Sequence, residues 1–411
     1  MTERPYIPRA ATTAPQHRYP VSTGAQLRIW WREVDRVLIA LVLLLMAVGT
    51  AAVFAASPAS AHRLSTRSVD LPELYFYWAH LRWQALGLIF MVAASALSRE
   101  NARRVGIVLA AAMLVFLLLV PLIGSEVNGA KRWINLGIAG FQPSEFLKPG
   151  FAILLAWIVS WRLRDPNLPV LVIVTGTMAL VAALMMMQPD FGGTILFAGV
   201  WFVIVLLAGI PLKRVGMLAG AGVAAVTATY FLYDNARHRI DAFLGGGTAF
   251  DQVDLASRTL LNGGWTGTGL WLGVRKMNLP EAHTDYIFSV IGEEFGLLVC
   301  AAVVALYLAI VVRVLVRLAD EEDLFTLLAA AGLTTQIGGQ AFINILVNLQ
   351  LFPSKGMTLP LVSYGGSSTI AVCLAVGLLI ALTRRNPFLY RETPGLKALI
   401  GRQLKSGELS A

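Results

Sequence analysis

Charge is scarce in this chain. Of 411 residues, 14% are Asp, Glu, Lys or Arg and 57% are hydrophobic, whereas soluble domains carry roughly 25% charged residues. That deficit excludes an ordinary soluble protein and, with a mean hydropathy of +0.68, marks an integral membrane protein. Cysteine is scarcer still. Cys300 and Cys373 each lie deep in an apolar run, which excludes a disulfide framework and a thiolate metal cluster. No residue spacing resembles a metal-ligand set, so the sequence identifies no cofactor and says nothing of divalent-metal dependence. The glycines of Gly263-Gly264-Trp265-Thr266-Gly267-Thr268-Gly269 follow no strand and are wrongly spaced for a dinucleotide fingerprint.

What the chain has in quantity is apolar runs of membrane length. Ten stand out, at about 34–56, 79–98, 104–123, 145–161, 168–187, 192–210, 213–233, 285–316, 324–350 and 361–383. The net charge of +9 would suggest nucleic acid in a soluble protein, but its distribution excludes that partner. The N-terminal flank, alternate connections and the C-terminal tail hold 21 of the 33 Lys and Arg. The positive-inside rule then puts both termini in the cytoplasm. The expected fold is all-α, with about ten transmembrane helices and one long extracytoplasmic loop between helices 7 and 8.

Three divisions follow. Residues 1–33 are polar and read as a flexible cytoplasmic tail; 34–390 form a single polytopic membrane domain containing the extracytoplasmic loop 234–284; 391–411 form a C-terminal cytoplasmic tail. Ala59-Ser60-Ala61 imitates a signal-peptidase site, but the apolar run before it exceeds a signal h-region and many spans follow. It is read as a first transmembrane helix.

The outer connections carry unexpected charge. In 124–149, Lys131 and Arg132 adjoin Trp133, and a helix is expected after Pro143 with Ser144 as N-cap and Glu145 and Lys148 on one face. These residues suit either a snorkelling anchor with a local ion pair or a cation cluster for an anionic ligand. Asp190, in Gln188-Pro189-Asp190-Phe191-Gly192-Gly193, suits a helix cap. Within 234–284, Gly245-Gly246-Gly247 reads as a break and Asp251–Leu261 as a short surface helix. The small residues from Ser363 to Ser368 suggest close helix packing.

The densest polar stretch is Gly263–Gly296, which holds Arg275, Lys276, Glu281, His283, Asp285, Glu293 and Glu294. Its glycines suit a mobile lid or hinge. A continuous helix over 285–316 would be about 48 Å long against a hydrocarbon core of about 30 Å. Asp285 would therefore open the helix above the membrane, with Glu293 and Glu294 near its surface. Cations at that depth suit a phosphate or pyrophosphate, and a carboxylate among them suits proton abstraction from an alcohol. A ligand-free set of structural ion pairs is the plainer alternative.

Four ordered motifs carry a resemblance: Leu279-Pro280-Glu281-Ala282-His283-Thr284-Asp285 with Gly292-Glu293-Glu294-Phe295-Gly296; Lys355-Gly356-Met357-Thr358-Leu359-Pro360 through Ser368; Lys131-Arg132-Trp133-Ile134 with Gln142-Pro143-Ser144-Glu145-Phe146 and Lys148; and Gln188-Pro189-Asp190-Phe191-Gly192. Over about 35–390 the chain resembles the SEDS (shape, elongation, division and sporulation) proteins. Pro353-Ser354-Lys355-Gly356-Met357 is similar to the cell-division branch; the elongation branch usually lacks that lysine. Trp271, Asn278 and Gln350 depart from the family pattern, Trp271 standing where glycine is frequent, and these departures bear on loop conformation and lipid contacts.

The resemblance implies a peptidoglycan glycosyltransferase that polymerises lipid II, its donor and acceptor, on the outer face of the cytoplasmic (inner) membrane, at the division septum. Asp285 matches the family's essential aspartate, the base for the acceptor sugar's 4-hydroxyl. Attack on the donor's anomeric carbon with inversion releases undecaprenyl pyrophosphate. Lys131, Arg132, Lys276 and Lys355 are candidates for the pyrophosphate; Trp133, Glu145, Lys148, Arg275, Glu281, His283 and Ser363 complete the substrate-binding candidates. A helix N-terminus and neighbouring cations would make Asp285 a weak base, so orientation and leaving-group stabilisation are expected to supply most of the rate. The implied partners are a class B penicillin-binding transpeptidase (FtsI), the division proteins FtsQ, FtsL and FtsB, and membrane lipids. A lipid II flippase and a non-enzymatic division scaffold are the rivals. A transporter is expected to place ionisable groups near the bilayer midplane, where these spans are nearly charge-free.

Overall fold

The computed structural model describes residues 23–66, 70–127, 130–135, 140–163, 165, 167–232, 237, 241, 252–353 and 356–385. Tail residues 1–22 and 391–411, the Gly245–Gly247 break and Lys355 lie outside them. Helices occupy all ten apolar stretches: α2 Arg36–Leu64, α3 Tyr75–Ser95, α4 Arg99–Ile123, α5 Pro143–Ser160, α6 Val170–Met187, α7 Phe191–Leu207, α8 Leu212–Leu232, α10 Ile287–Phe295 continuing as α11 Leu297–Leu318, α12 Leu324–Asn348 and α13 Gly366–Thr383. α1, Thr23–Glu33, precedes them, and α9, Gln252–Asn262, is the short helix expected near 251–261. Among the described residues, α2, α4, α5 with its following turn, α6, α11 and α13 are long and apolar enough to cross a membrane, and α7 is a shorter apolar helix. The chain is an all-α, multi-pass membrane protein.

α13 is the spine. It packs along α3 and also meets α5 and α12, and all but a few of its residues are buried. Close approach is built from small side chains, as in many membrane bundles. A Cβ on Gly377 would lie 2.5 Å from the Met91 carbonyl of α3, and one on Gly150 of α5 would lie 2.7 Å from the Ala110 amide of α4.

Three elements differ from the sequence expectation. α2 runs on through Ala59–Ala61 to Leu64 with Pro58 inside it, so the first connection is shorter than 57–78. The connection after α4 forms a small antiparallel sheet, β1 Ser125–Val127, β2 Ala130–Asn135 and β3 Gly140–Phe141, in that order. The expected helix over 285–316 is broken at Gly296, whose φ is +87°. Gly267 and the Trp265 carbonyl press against it: a Cβ there would lie 2.4 Å from either. No L side chain fits that position or readily adopts that backbone, so α10 and α11 meet at a hinge.

Candidate active site

The break exists to receive the glycine-rich segment. The Leu297 and Leu298 amides donate to the Gly264 and Trp265 carbonyls, and the Thr268 and Gly269 amides to the Glu293 and Glu294 carbonyls. The two carboxylates finish the clamp. Glu293 accepts from the Arg275 amide (2.8 Å), the Lys276 amide (2.9 Å) and Asn262 Nδ2 (2.9 Å). Glu294 accepts from the Trp271 amide and pairs with the Lys276 ammonium, which also reaches the Ala55 carbonyl of α2 at 3.0 Å. Glu293 and Glu294 are fully buried within the protein, under a loop whose amides and Lys276 ammonium they bind. The segment expected as a mobile lid is pinned. Lys276, expected to face phosphate, is itself buried and turned onto Glu294. Arg275 stays exposed, its Nε 3.4 Å from Asn262 Oδ1.

Beyond that clamp a cavity of about 810 Å³ opens at the end of the helices, walled by the turn before α10, the first turn of α5, strand β2 and the segment leading into α13. Asp285, Glu281 and His283 line it from the turn. Asp285 precedes α10, whose N-cap is Tyr286, by two residues; it does not open the helix as expected. Its position is set through its backbone. The Asp285 carbonyl accepts from Asn344 Nδ2 at 2.8 Å and Asn348 Nδ2 at 3.2 Å, both on α12. Ser363 Oγ holds the next carbonyl back, Thr284, at 2.5 Å, so Ser363 braces the turn from behind. Glu281, at φ +51°, accepts from Thr284 Oγ1 at 2.7 Å. His283 packs 4.2 Å, ring to ring, from Phe76; burial pushes its imidazole down to about 4, so it is neutral at physiological pH.

The opposite wall supplies the cations. Helix α5 begins after Gln142 as N-cap with Pro143 in its first turn; Ser144 is two residues too late for the capping role expected of it. Its first turn buries the Lys148–Glu145 pair at 2.7 Å, with Lys148 also 3.0 Å from Gln340 Oε1. Arg132 of β2 donates Nε to the Gln188 carbonyl at 2.8 Å and Nη2 to the Pro189 carbonyl, and Trp133 beside it lines the cavity. These carbonyls belong to the turn that Asp190 closes as cap of α7, accepting from the Gly193 amide at 2.7 Å. Lys131 is exposed and lies off the cavity wall.

The structure thus gathers Asp285, Glu281, His283, Arg132, Trp133, Glu145 and Lys148 around one space, and leaves Lys131, Arg275, Lys276 and Ser363 off its wall. Sequence reading missed the amides of α12, whose signal is the four-residue spacing of Gln336, Gln340, Asn344 and Asn348. Among the described residues no group of His, Cys, Asp or Glu is placed to hold a metal ion.

Residues 35–387 match the family of FtsW/RodA/SpoVE cell cycle proteins. The chain belongs to this family. Among its relatives is a "probable peptidoglycan glycosyltransferase FtsW" of Caulobacter vibrioides, 34% identical, covering 91% of this chain and 95% of the relative. A protein of the same name from Polynucleobacter necessarius is 35% identical over 91% of each chain. Among solved structures, a chain from a peptidoglycan synthase complex that coordinates polymerization and crosslinking superposes with a TM-score of 0.68 at 28% identity, covering 86% of this chain and 98% of that one. The rod shape determining protein RodA of Thermus thermophilus gives a TM-score of 0.63 at 26% identity, covering 86% and 97%. As an FtsW/RodA/SpoVE protein the chain is a multi-pass protein of the inner membrane.

Proposed function

We infer that this FtsW/RodA/SpoVE protein is a peptidoglycan glycosyltransferase, polymerising lipid II into glycan strands for cell wall growth in cell division. The observation that carries the reading is the Asp285 carboxyl group on the wall of a polar cavity that also holds Arg132 and Lys148, in a chain 34% identical to relatives named for that activity. Asp285 takes the proton of the acceptor's 4-hydroxyl as that oxygen attacks the donor's anomeric carbon from the face opposite the leaving group. The α linkage breaks, a β linkage forms, and undecaprenyl pyrophosphate departs. Arg132 is the cation best suited to the pyrophosphate. Its hydrogen bonds go to two neutral carbonyls, so its charge is not cancelled and meets the developing anion. Lys148 shares its charge with Glu145, and Lys355 is the further cation of the proposed set.

The orientation that suits this chemistry has ten spans, both termini in the cytoplasm and the cavity outside. The membrane domain 34–390 then lies between cytoplasmic tails 1–33 and 391–411, with loop 234–284 outside. Its partners in this scheme are a class B transpeptidase (FtsI) with FtsQ, FtsL and FtsB, at the septum. The test is purified protein, with its transpeptidase partner, given labelled lipid II. Glycan strands are the expected product. Transbilayer movement of lipid II without strands would make the protein a flippase, and neither activity would leave a scaffold.

A further inference from the structure

Helix α12 carries a row of primary amides that no charge or motif announces. Gln336, Gln340, Asn344 and Asn348 recur every four residues, hence on one face, and each is at most 2% exposed. Buried amides in an apolar helix are costly unless bonded, and three of these are bonded to the separate walls of the cavity. Asn348 Oδ1 accepts from Ser289 Oγ (2.7 Å) and the Ser289 amide (3.2 Å), while its Nδ2 donates to the Asp285 carbonyl. Asn344 Nδ2 donates to both the Asp285 carbonyl (2.8 Å) and the Met357 carbonyl (2.6 Å). Gln340 Nε2 donates to the Thr358 carbonyl at 3.0 Å, and its Oε1 accepts from the Lys148 ammonium at 3.0 Å.

We propose that Gln340, Asn344 and Asn348 are positioning residues of the reaction, a neutral amide rail that fixes the Asp285 turn, the 356–358 segment and Lys148 relative to one another. The chemistry favours amides for this task. Each donates to a carbonyl while its own oxygen accepts, from the Lys148 ammonium in Gln340, the Asn348 amide in Asn344 and the Ser289 hydroxyl in Asn348, and none adds a charge beside Asp285 that would compete with substrate for its carboxyl group. The rail also explains the closeness of the walls: a Cβ on Gly356 would lie 3.3 Å from Asp285 Oδ2. A 1 Å misplacement of a reacting group can cost about 10²-fold in rate, so the effect falls on turnover and not on binding.

The inference rests on the polymerase reading, and the experiment separates the two. Asn344→Asp is isosteric but presents an acceptor to two carbonyls. In the full protein with its transpeptidase partner, kcat for lipid II polymerisation is expected to fall at least tenfold, with KM within about twofold of wild type. In an Asp285→Glu background, where the carboxyl group is already displaced, the same change is expected to cost less than threefold, because the rail acts through Asp285. If wild type forms no glycan strands, the polymerase reading itself is overturned. If wild type polymerises and Asn344→Asp keeps kcat within twofold, raises KM alone, or costs equally in both backgrounds, the rail is not a positioning device. Should Asn344→Asp fail to accumulate, Gln340→Glu carries the test: it keeps the acceptor for Lys148, loses the donor to Thr358, and is expected to lower kcat at least threefold; unchanged kcat overturns the proposal.

Discussion

The two ends of the helical bundle handle charge differently. At the end where α2 begins and α13 finishes, ion pairs are closed. Asp35, which caps α2, receives Arg313 at 2.8 Å and Arg317 at 2.7 Å from α11. Arg99 of α4 grips Glu321 with both nitrogens at 3.2 Å, and Arg385 pairs with Asp320 at 3.3 Å. Cation and carboxylate cancel, and the helix ends are clasped together. The cavity end also closes two pairs, Lys276 on Glu294 and Lys148 on Glu145, but dipoles hold other groups there: two carbonyls bind Arg132, two amides bind the Asp285 turn, and among the described residues nothing bonds the buried Glu145 Oε2. Strain divides the same way. Among the described residues every non-glycine with positive φ (Pro189, Trp271, Glu281, Gln350 and Leu361) lies in the cavity-end loops, where strained backbone commonly accompanies function. Ion pairs that join helix ends make a clasp; a cation held by carbonyls alone, among strained loops, makes a site.

The contrast breaks most sharply at Asp285. Asp285→Asn keeps the backbone carbonyl that α12 grips, so the fold should persist with an unchanged Tm. Strand synthesis from lipid II should fall by ~10²–10⁴-fold, the contribution of a general base. Retention of more than about a tenth of the activity in a purified assay would remove Asp285 from the role of essential base.

Lys148 tests the buried pair. Lys148→Met strips the cation from Glu145, whose side chain is 13% exposed, and an unpaired buried charge costs about 3–5 kcal/mol. A lower midpoint in thermal or denaturant unfolding should follow, and Glu145→Gln in the same chain should recover a substantial part. If the double variant unfolds as early as the single one, the loss comes from packing and not from the orphaned carboxylate.

The helices were legible because apolar runs of membrane length have few alternatives, and Asp285, Glu281, Arg132, Trp133, Glu145 and Lys148 were legible because charge in an apolar chain is conspicuous. Partner choice was not. Lys276 carries the same charge as Arg132, but one meets a buried carboxylate and the other two carbonyls, a difference decided by how the glycine-rich loop folds around Lys276. The break at Gly296 hid inside a run of suitable hydropathy, and the sheet inside a connection whose only cue was the Asn128-Gly129 dipeptide, a hairpin signal. The departures from the family pattern proved informative. Trp271 and Gln350 sit at φ +64° and +60°, a conformation glycine adopts without strain, so each side chain holds its loop in strained backbone.

Asp35 tests the clasp. Burial alone would raise its carboxyl group, but the Arg313 hydrogen bond, the Arg317 charge and the Leu38 amide outweigh burial and hold it below the usual carboxylate range. A depressed folded value means that the stabilisation is complete above the unfolded carboxylate value of about 3.9 and is lost as pH falls through the folded one. Asp35→Asn should therefore cost about 1–3 kcal/mol near neutral pH, leave lipid II polymerisation within twofold, and cost nothing in strong acid. Polymerisation lost together with stability would mean that the two ends are coupled, and the division between clasp and site would fail.

The smallest effect is expected from relaxing one strained loop position. The Gln350 side chain makes a single long hydrogen bond, 3.4 Å to the Val253 carbonyl, while its backbone holds φ +60°. A left-handed residue costs roughly 1–2 kcal/mol, and glycine's added freedom in the unfolded chain returns about 0.5–1 kcal/mol of that. Gln350→Gly should thus be neutral to stabilising by up to about 1 kcal/mol, read as a small rise in unfolding midpoint with activity unchanged. Should it destabilise, the strain at this loop is compensated by contacts of the glutamine stem; should it raise stability and lower turnover together, the strain is part of how the cavity-end loops hold their catalytic shape.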